Sequence, residues 1–199
     1  PRGRLALLPM AVTLAVGAGL SPAPVRSQPS AEPVVTVING CHLWPYAHCP
    51  GADLRHADLV GKDLRGVNFS GAKLSRARLR SANMAGAKLD GADLTGVQAY
   101  ALNAPGASFR GATMVAANLA MGRFFRADMS GADLSAANLE AARMNFAWLV
   151  GAKLVGADLQ ETKFVGSNLQ DADLGGAVLR FAIFPDAHLQ GCRGCPEGW

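Results

Sequence analysis

Residues that do chemistry are scarce in this 199-residue chain. Its four His are His42, His48, His56 and His188, and no G-x-S-x-G, H-E-x-x-H or phosphate-loop spacing occurs. The single G-x-G, at Gly17, falls inside an apolar N-terminal run. The Asp residues recur at regular intervals instead of gathering at one point, so no catalytic group, cofactor site or metal set is expected, and the chain does not read as an enzyme. A large excess of either charge is also missing. Lys and Arg total 19 against 15 Asp and Glu, and three of the basic residues (Arg2, Arg4, Arg26) precede residue 28, which leaves 16 against 15 beyond it, a net charge of +1. A near-neutral surface gives no reason to infer a polyanion partner.

One apolar run is present, from Leu5 to Leu20, with Arg2 and Arg4 before it and the Pro/Ser-rich "SPAPVRSQPSAEP" after it. This is the layout of a secretory signal peptide, residues 1–27, with a V-x-S cleavage site after Ser27. The run is short for a membrane span and contains Pro9, so no span is expected in the mature chain. Pro1 is not an initiator Met, and the natural start is expected upstream. The location that follows is periplasmic or secreted.

What the chain does have is a period of five. From Leu54 to Leu189 every fifth residue, 28 in all, is Leu, Phe or Met except at Ala99 and Ala104. Two places earlier Ala occurs 21 times of 28, the departures being Lys62, Val67, Val97, Leu102, Gly122, Thr162 and Ser167. A helix cannot use this pattern, because residues i and i+5 lie about 500° apart around it. Nor can a flat strand, whose period of two sends alternate Leu to opposite faces. A chain that turns a corner every five residues can: four corners close a square coil of 20 residues, with Leu and Ala inside. Near Ala99 and Ala104 the core narrows, and Tyr100 or Leu102 is expected to fill it, or the chain to bulge.

Units such as "GADLRHADLVGKDLRGVNFSGAKL" and "GADLSAANLEAARM" resemble those of the pentapeptide-repeat proteins, A-[DN]-L-x-x, over residues 52–191. The resemblance implies an all-β fold, a right-handed quadrilateral parallel β-helix. Its 28 units make about seven coils, which at the strand spacing of about 4.8 Å form a rod of roughly 34 Å. Each buried Leu or Phe contributes about 1.5 to 3 kcal/mol before chain entropy is subtracted, and each coil leans only on its neighbours. Residues 28–51 are then a linker and N-terminal cap, and 192–199 a C-terminal cap.

The open strand edges at the two ends of a solenoid need covering. The four cysteines lie there: Cys41 and Cys49 before the repeats, Cys192 and Cys195 after them. A disulfide needs Cα atoms within about 7 Å, less than the length of the rod, so pairing within one chain would join Cys41 to Cys49 and Cys192 to Cys195. Two other readings exist. Cys192 and Cys195 form C-x-x-C, and Cys41, His42, His48 and Cys49 offer four metal-ligand types; neither has the context of a redox protein or a zinc finger. At the N-terminal end "VVTVI" (34–38) reads as a strand or lid, with Trp44 and Tyr46 over the core; Trp199 would serve at the other. Many relatives dimerise through a C-terminal helix, but only ten residues follow Leu189, so that route is not expected here.

Residues 20 apart should stack in columns. Asp53, Lys73, Asp93, Thr113, Asp133, Lys153 and Asp173 alternate in sign wherever neighbours are charged, which suits register control. Arg123, Arg143 and Lys163 stack with no acid between them. Arg126 lies one coil above Phe146, and Phe125, Phe146 and Trp148 point outward nearby. Stacked like charges and exposed rings both oppose stability, which makes these seven residues a candidate partner surface; the competing reading is that Arg126 simply covers Phe146.

The functional expectation is a secreted or periplasmic, non-catalytic scaffold that binds an unidentified protein. The best understood relatives imply an alternative: they resemble B-DNA in charge and shape, bind DNA gyrase and protect it from quinolones. That role needs a strongly acidic cytoplasmic rod, from which this chain departs in charge and in its apparent export signal. Interleaved Asp residues argue against direct nucleic-acid binding.

Overall fold

The computed structural model describes residues 36–197. The signal-peptide and linker residues before Thr36, with Val34 and Val35 of the expected lid strand, and Gly198 and Trp199 of the C-terminal cap lie outside the described residues. Residues 36–197 belong to one compact unit, to which everything below refers.

Its backbone follows the period. Parallel bridges join residues 20 apart, from His48↔Asn68 through Asp53↔Lys73 to Asp173↔Arg193, and all fall on the position just before the central Leu. A single repeat shows where its N–H groups go. Leu54 donates to the Lys73 carbonyl (2.8 Å) and His56 to that of Ser75 (3.2 Å), while Lys73 returns a bond to Ala52 (2.9 Å). At the corner, Ala57 donates back to the Leu54 carbonyl (3.1 Å). That leaves one orphan per repeat, the N–H one residue after the Leu. Asp53 takes it: its carboxylate accepts from the Arg55 N–H (3.3 Å).

The residue at the second corner position has positive φ from Gly51 to Gly191 without exception, whether Gly, as at Gly71 (65°), or not, as at Ala136 (55°) and Phe146 (59°). At some corners the side chain leans over the next coil, where a Gly makes room. Tyr46 lies over Gly66 and Phe146 over Gly166, where an added Cβ would come within 2.7 Å of the Phe146 ring.

Inside, the Leu and Ala columns are buried from Leu54 to Leu174, as the five-residue period requires. The chain keeps register through Ala99 and Ala104, so no loop bulges out. Leu102 fills the gap and is fully buried, whereas Tyr100 stays outside at 45% exposure. Size is exchanged between neighbouring positions: Val97 precedes Ala99, Leu102 precedes Ala104, and in the coil below Gly122 precedes Phe124. A Cβ on Gly122 would meet the Phe124 ring, so the large central residue depends on the small one beside it. Thr162 and Ser167 replace buried Ala at no polar cost, because their hydroxyls donate to the carbonyls of Leu139 (2.8 Å) and Met144 (2.7 Å).

At the N-terminal end strands β1 (Thr36–Ile38) and β2 (Cys41–Leu43) pair antiparallel around Asn39-Gly40. Positive φ at both turn residues, 47° and 78°, is what a tight two-residue hairpin needs and what Asn-Gly supplies. Three links tie this hairpin to the first coil: the Cys41–Cys49 disulfide, Asn39 Nδ2 donating to the Asp53 carbonyl (2.7 Å), and Lys62 Nζ donating to Thr36 Oγ1 (2.8 Å). The last link explains why Lys62 stands in an Ala column. Trp44 and Tyr46 do not cover the core as expected. They are 46% and 75% exposed, and Cys41, Leu43, Ala47 and Cys49 are buried instead, since the hairpin turns its alternate residues inward.

At the other end Cys192 pairs with Cys195, their Cα atoms 5.8 Å apart, and Arg193 forms an ion pair with Asp173. With Cys41 and Cys49 also joined, at 5.6 Å, the thiols that a metal set would use are taken up. Among the described residues Leu179 and Leu189 are only partly buried, unlike Leu54 to Leu174.

Candidate partner-binding surface

Arg123, Arg143 and Lys163 occupy successive rungs of one ladder, Arg123↔Arg143↔Lys163, and Ile183 follows on the fourth. All three cations are exposed. Among the described residues none of them forms an ion pair, whereas Arg55, Arg65, Arg78, Arg110 and Arg193 each hold a carboxylate. The alternating ladder behaves differently. Lys73 helps to lower the pKa of Asp53, and Lys153 does the same for Asp133 and Asp173, after the stronger effects of local hydrogen bonds.

The aromatic residues lead from this face around the corner: Phe125 borders Arg123 and Arg143, while Trp148 stands on the next ladder, between Asp128 and Asn168. Phe125 and Phe146 meet edge to face, 5.5 Å between centroids, and form a ridge. Arg126 places its guanidinium 5.1 Å from the Phe125 ring centre, not over Phe146 as the one-coil offset suggested. Its own residue has left-handed φ, 55°, which re-aims the side chain. Trp148 stands beyond the ridge at 54% exposure.

Hollows lie on either side of the ridge. Met121, Arg123, Arg143, Glu161, Lys163 and Phe181 line an open hollow of about 420 Å³, with Glu161 the carboxylate at its rim. Arg126, Phe146, Trp148, Gly166, Asn168 and His188 line another of about 410 Å³. Arg123, Phe125, Arg143 and Asn145 border a smaller one of about 330 Å³. Asp128 pairs with Trp148 in the ladder and is already engaged: burial raises its pKa, but hydrogen bonds from Ser130 and Arg110 outweigh this and hold it low. The seven residues singled out in the sequence thus fall on two adjoining faces: Arg123, Arg143 and Lys163 on one ladder, Trp148 on the next, and Phe125, Arg126 and Phe146 at the corner between them. Sequence reading missed Met121, Phe181 and His188. Column arithmetic could have found the first two, which share a corner with Ala141 and Glu161.

The family described as pentapeptide repeats matches in eight copies, over residues 47–86, 63–98, 123–156 and 157–193. The chain belongs to the pentapeptide-repeat family. Among solved pentapeptide-repeat structures, HetL, a protein involved in heterocyst differentiation regulation in the cyanobacterium Nostoc sp. strain PCC 7120, is 32% identical over 73% of this chain and 75% of its own, with a TM-score of 0.46. QnrB1, a plasmid-mediated fluoroquinolone resistance protein, is 21% identical over 75% of this chain and 83% of its own, with a TM-score of 0.54 for a trypsin-treated variant. That likeness is one of fold. A protein of the Arabidopsis thaliana thylakoid lumen is 30% identical over 61% of this chain and 71% of its own, with a TM-score of 0.43. No curated protein matches. Among the described residues of this pentapeptide-repeat chain, no helix is long and apolar enough to cross a membrane.

Proposed function

We propose that this chain is a secreted or periplasmic, non-catalytic scaffold, a right-handed quadrilateral β-helix of about seven coils that holds a protein partner on the adjoining faces built from residues 121–188. The observation that carries the reading is the juxtaposition of an unpaired cation column, Arg123–Arg143–Lys163, with the exposed Phe125, Phe146 and Trp148. Neither feature stabilises a solitary rod, since like charges on adjacent strands repel and exposed rings forgo burial. Arg, Met, Phe and Trp are also the residues enriched where proteins meet. The apparent signal peptide and the two disulfides support the export part of the reading.

A photo-crosslinking residue introduced at position 148, and at Thr113 in the alternating ladder as a control, tests this in the native host. The expected outcome is a discrete protein adduct at 148 alone. Arg126→Ala combined with Phe146→Ala should abolish the adduct with little change in thermal stability. An adduct that survives the double variant, or no adduct at 148, would reject the surface. The intact mass from fractionated cells tests export: a cleaved extracytoplasmic species lacking four thiol hydrogens is expected, and a full-length reduced cytosolic species would overturn it.

A further inference from the structure

We infer that the occupant of this surface is an acidic segment of another protein, its carboxylates over the Arg123–Arg143–Lys163 column and an apolar side chain in the hollow beside Trp148. The inference rests on the scaffold reading and gives its partner a chemistry.

Three cations on successive rungs, about 4.8 Å apart, are tolerable while water screens them. A neutral partner covering them would strip that water and leave three unpaired charges, which is costly. Five Arg are matched from within the chain, as Arg65 is by Asp63 at 2.7 Å; what sets this column apart is three cations on consecutive rungs, none of them so matched among the described residues. At this column only Glu161, at the rim of the hollow, offers a carboxylate, so the remaining negative charge must come from outside. The flanks then decide between acidic partners. Met121 and Phe181 border the cations on one side, and the Phe125–Phe146 ridge on the other, so the charged strip is framed by apolar surface. Across the ridge, Trp148, Phe146 and Arg126 form a second hollow. A carboxylate on one side and an apolar side chain on the other is what a short stretch of polypeptide can supply. A nucleic acid could stack bases on these rings, but three cations give few phosphate contacts.

The test uses fluorescence anisotropy of the full chain with three probes: a short peptide of Glu residues carrying one Leu and one Phe, its Gln-for-Glu counterpart, and a single-stranded oligo-dT. The Glu peptide is expected to bind at least about tenfold more tightly than the Gln peptide, with an advantage that shrinks as salt rises. Arg123→Glu with Arg143→Glu should erase that advantage, and Trp148→Ser should weaken the Glu peptide several-fold while leaving the salt dependence. Arg143→Gln, a milder change, should halve the advantage or more without lowering the melting temperature, because it relieves like-charge repulsion; a structural Arg would lower it. Equal binding of the two peptides, tighter binding of oligo-dT, or no binding of the Glu peptide would each overturn the inference. The crosslinking adduct at position 148 judges the scaffold reading separately, so either idea can fail alone.

Discussion

At the residue scale the repeat is a solution to hydrogen-bond accounting. Where Asp or Asn stands before the central residue, as at Asp53, Asn68, Asp93 and Asp133, its side chain accepts the N–H that has no backbone partner, and Asn103 shows the converse. Asn103 is followed two residues later by Pro105, which has no N–H to give, and its Nδ2 donates instead to Asn83 Oδ1 (2.9 Å). These carboxylates carry a pH dependence. The Arg55 guanidinium, with help from the Arg55 N–H, holds the Asp53 pKa down at about 2, against an ordinary 3.8. A carboxylate lowered in the folded state adds stability that is present above its unfolded pKa and lost as pH falls through the folded one. Melting temperatures should therefore hold down to about pH 4 and fall between there and pH 2. Arg55→Gln should raise the Asp53 pKa toward its ordinary value, as read by carboxyl NMR; an unchanged pKa would remove Arg55 as the cause. The corners give a second prediction. Ala136 is held at φ 55°, a region that disfavours a Cβ, so Ala136→Gly should stabilise by about 0.5–1 kcal/mol. Gly166→Ala should do the opposite and displace Phe146, whose ring occupies the space.

At the element scale, what could be read from sequence was what repeats. A side chain every fifth residue specifies the corner, the coil and the buried column, because each of the 28 units solves the same steric problem. Ala99 and Ala104 look like weak points when the central column is read alone. They are compensated by Val97 and Leu102 two places earlier, a pairing visible only once both columns are known to be buried. Leu102→Ala should thus cost about 2–5 kcal/mol in denaturant unfolding, although the substitution restores the consensus Ala; a cost below about 1 kcal/mol would mean that the coils relax into the gap. The hairpin lid was only half legible. Asn39-Gly40 marks its turn, but the inward face falls on Cys41 and Leu43, and bulk alone had pointed to Trp44 and Tyr46. The candidate surface was legible as columns, not as contacts: the offset of 20 residues places Arg126 above Phe146, yet the left-handed backbone at both residues sends the guanidinium to Phe125 and the Phe146 ring over Gly166.

At the scale of the whole solenoid, stability should be graded along the chain, because each coil contacts only its neighbours and unfolding can begin wherever an end is loosest. The two ends are not equal. The first coil has Leu54, Leu59 and Leu64 fully buried beneath a hairpin held by a disulfide and two side-chain hydrogen bonds, whereas Leu179 and Leu189 of the last coil are partly exposed. Hydrogen exchange should therefore be slowest in the middle coils and slow around residues 54–69, and it should rise toward residues 176–191. Replacing Cys41 and Cys49 with Ser removes a staple worth about 2–3 kcal/mol. Faster exchange is then expected in residues 36–69 while residues 121–170 keep their protection, so the double variant should still bind whatever the Arg143–Trp148 side holds. Uniform acceleration along the chain would show that the coils unfold as one unit. In that case the surface at residues 121–188 could not be judged by variants that loosen an end, and only substitutions within the surface would serve.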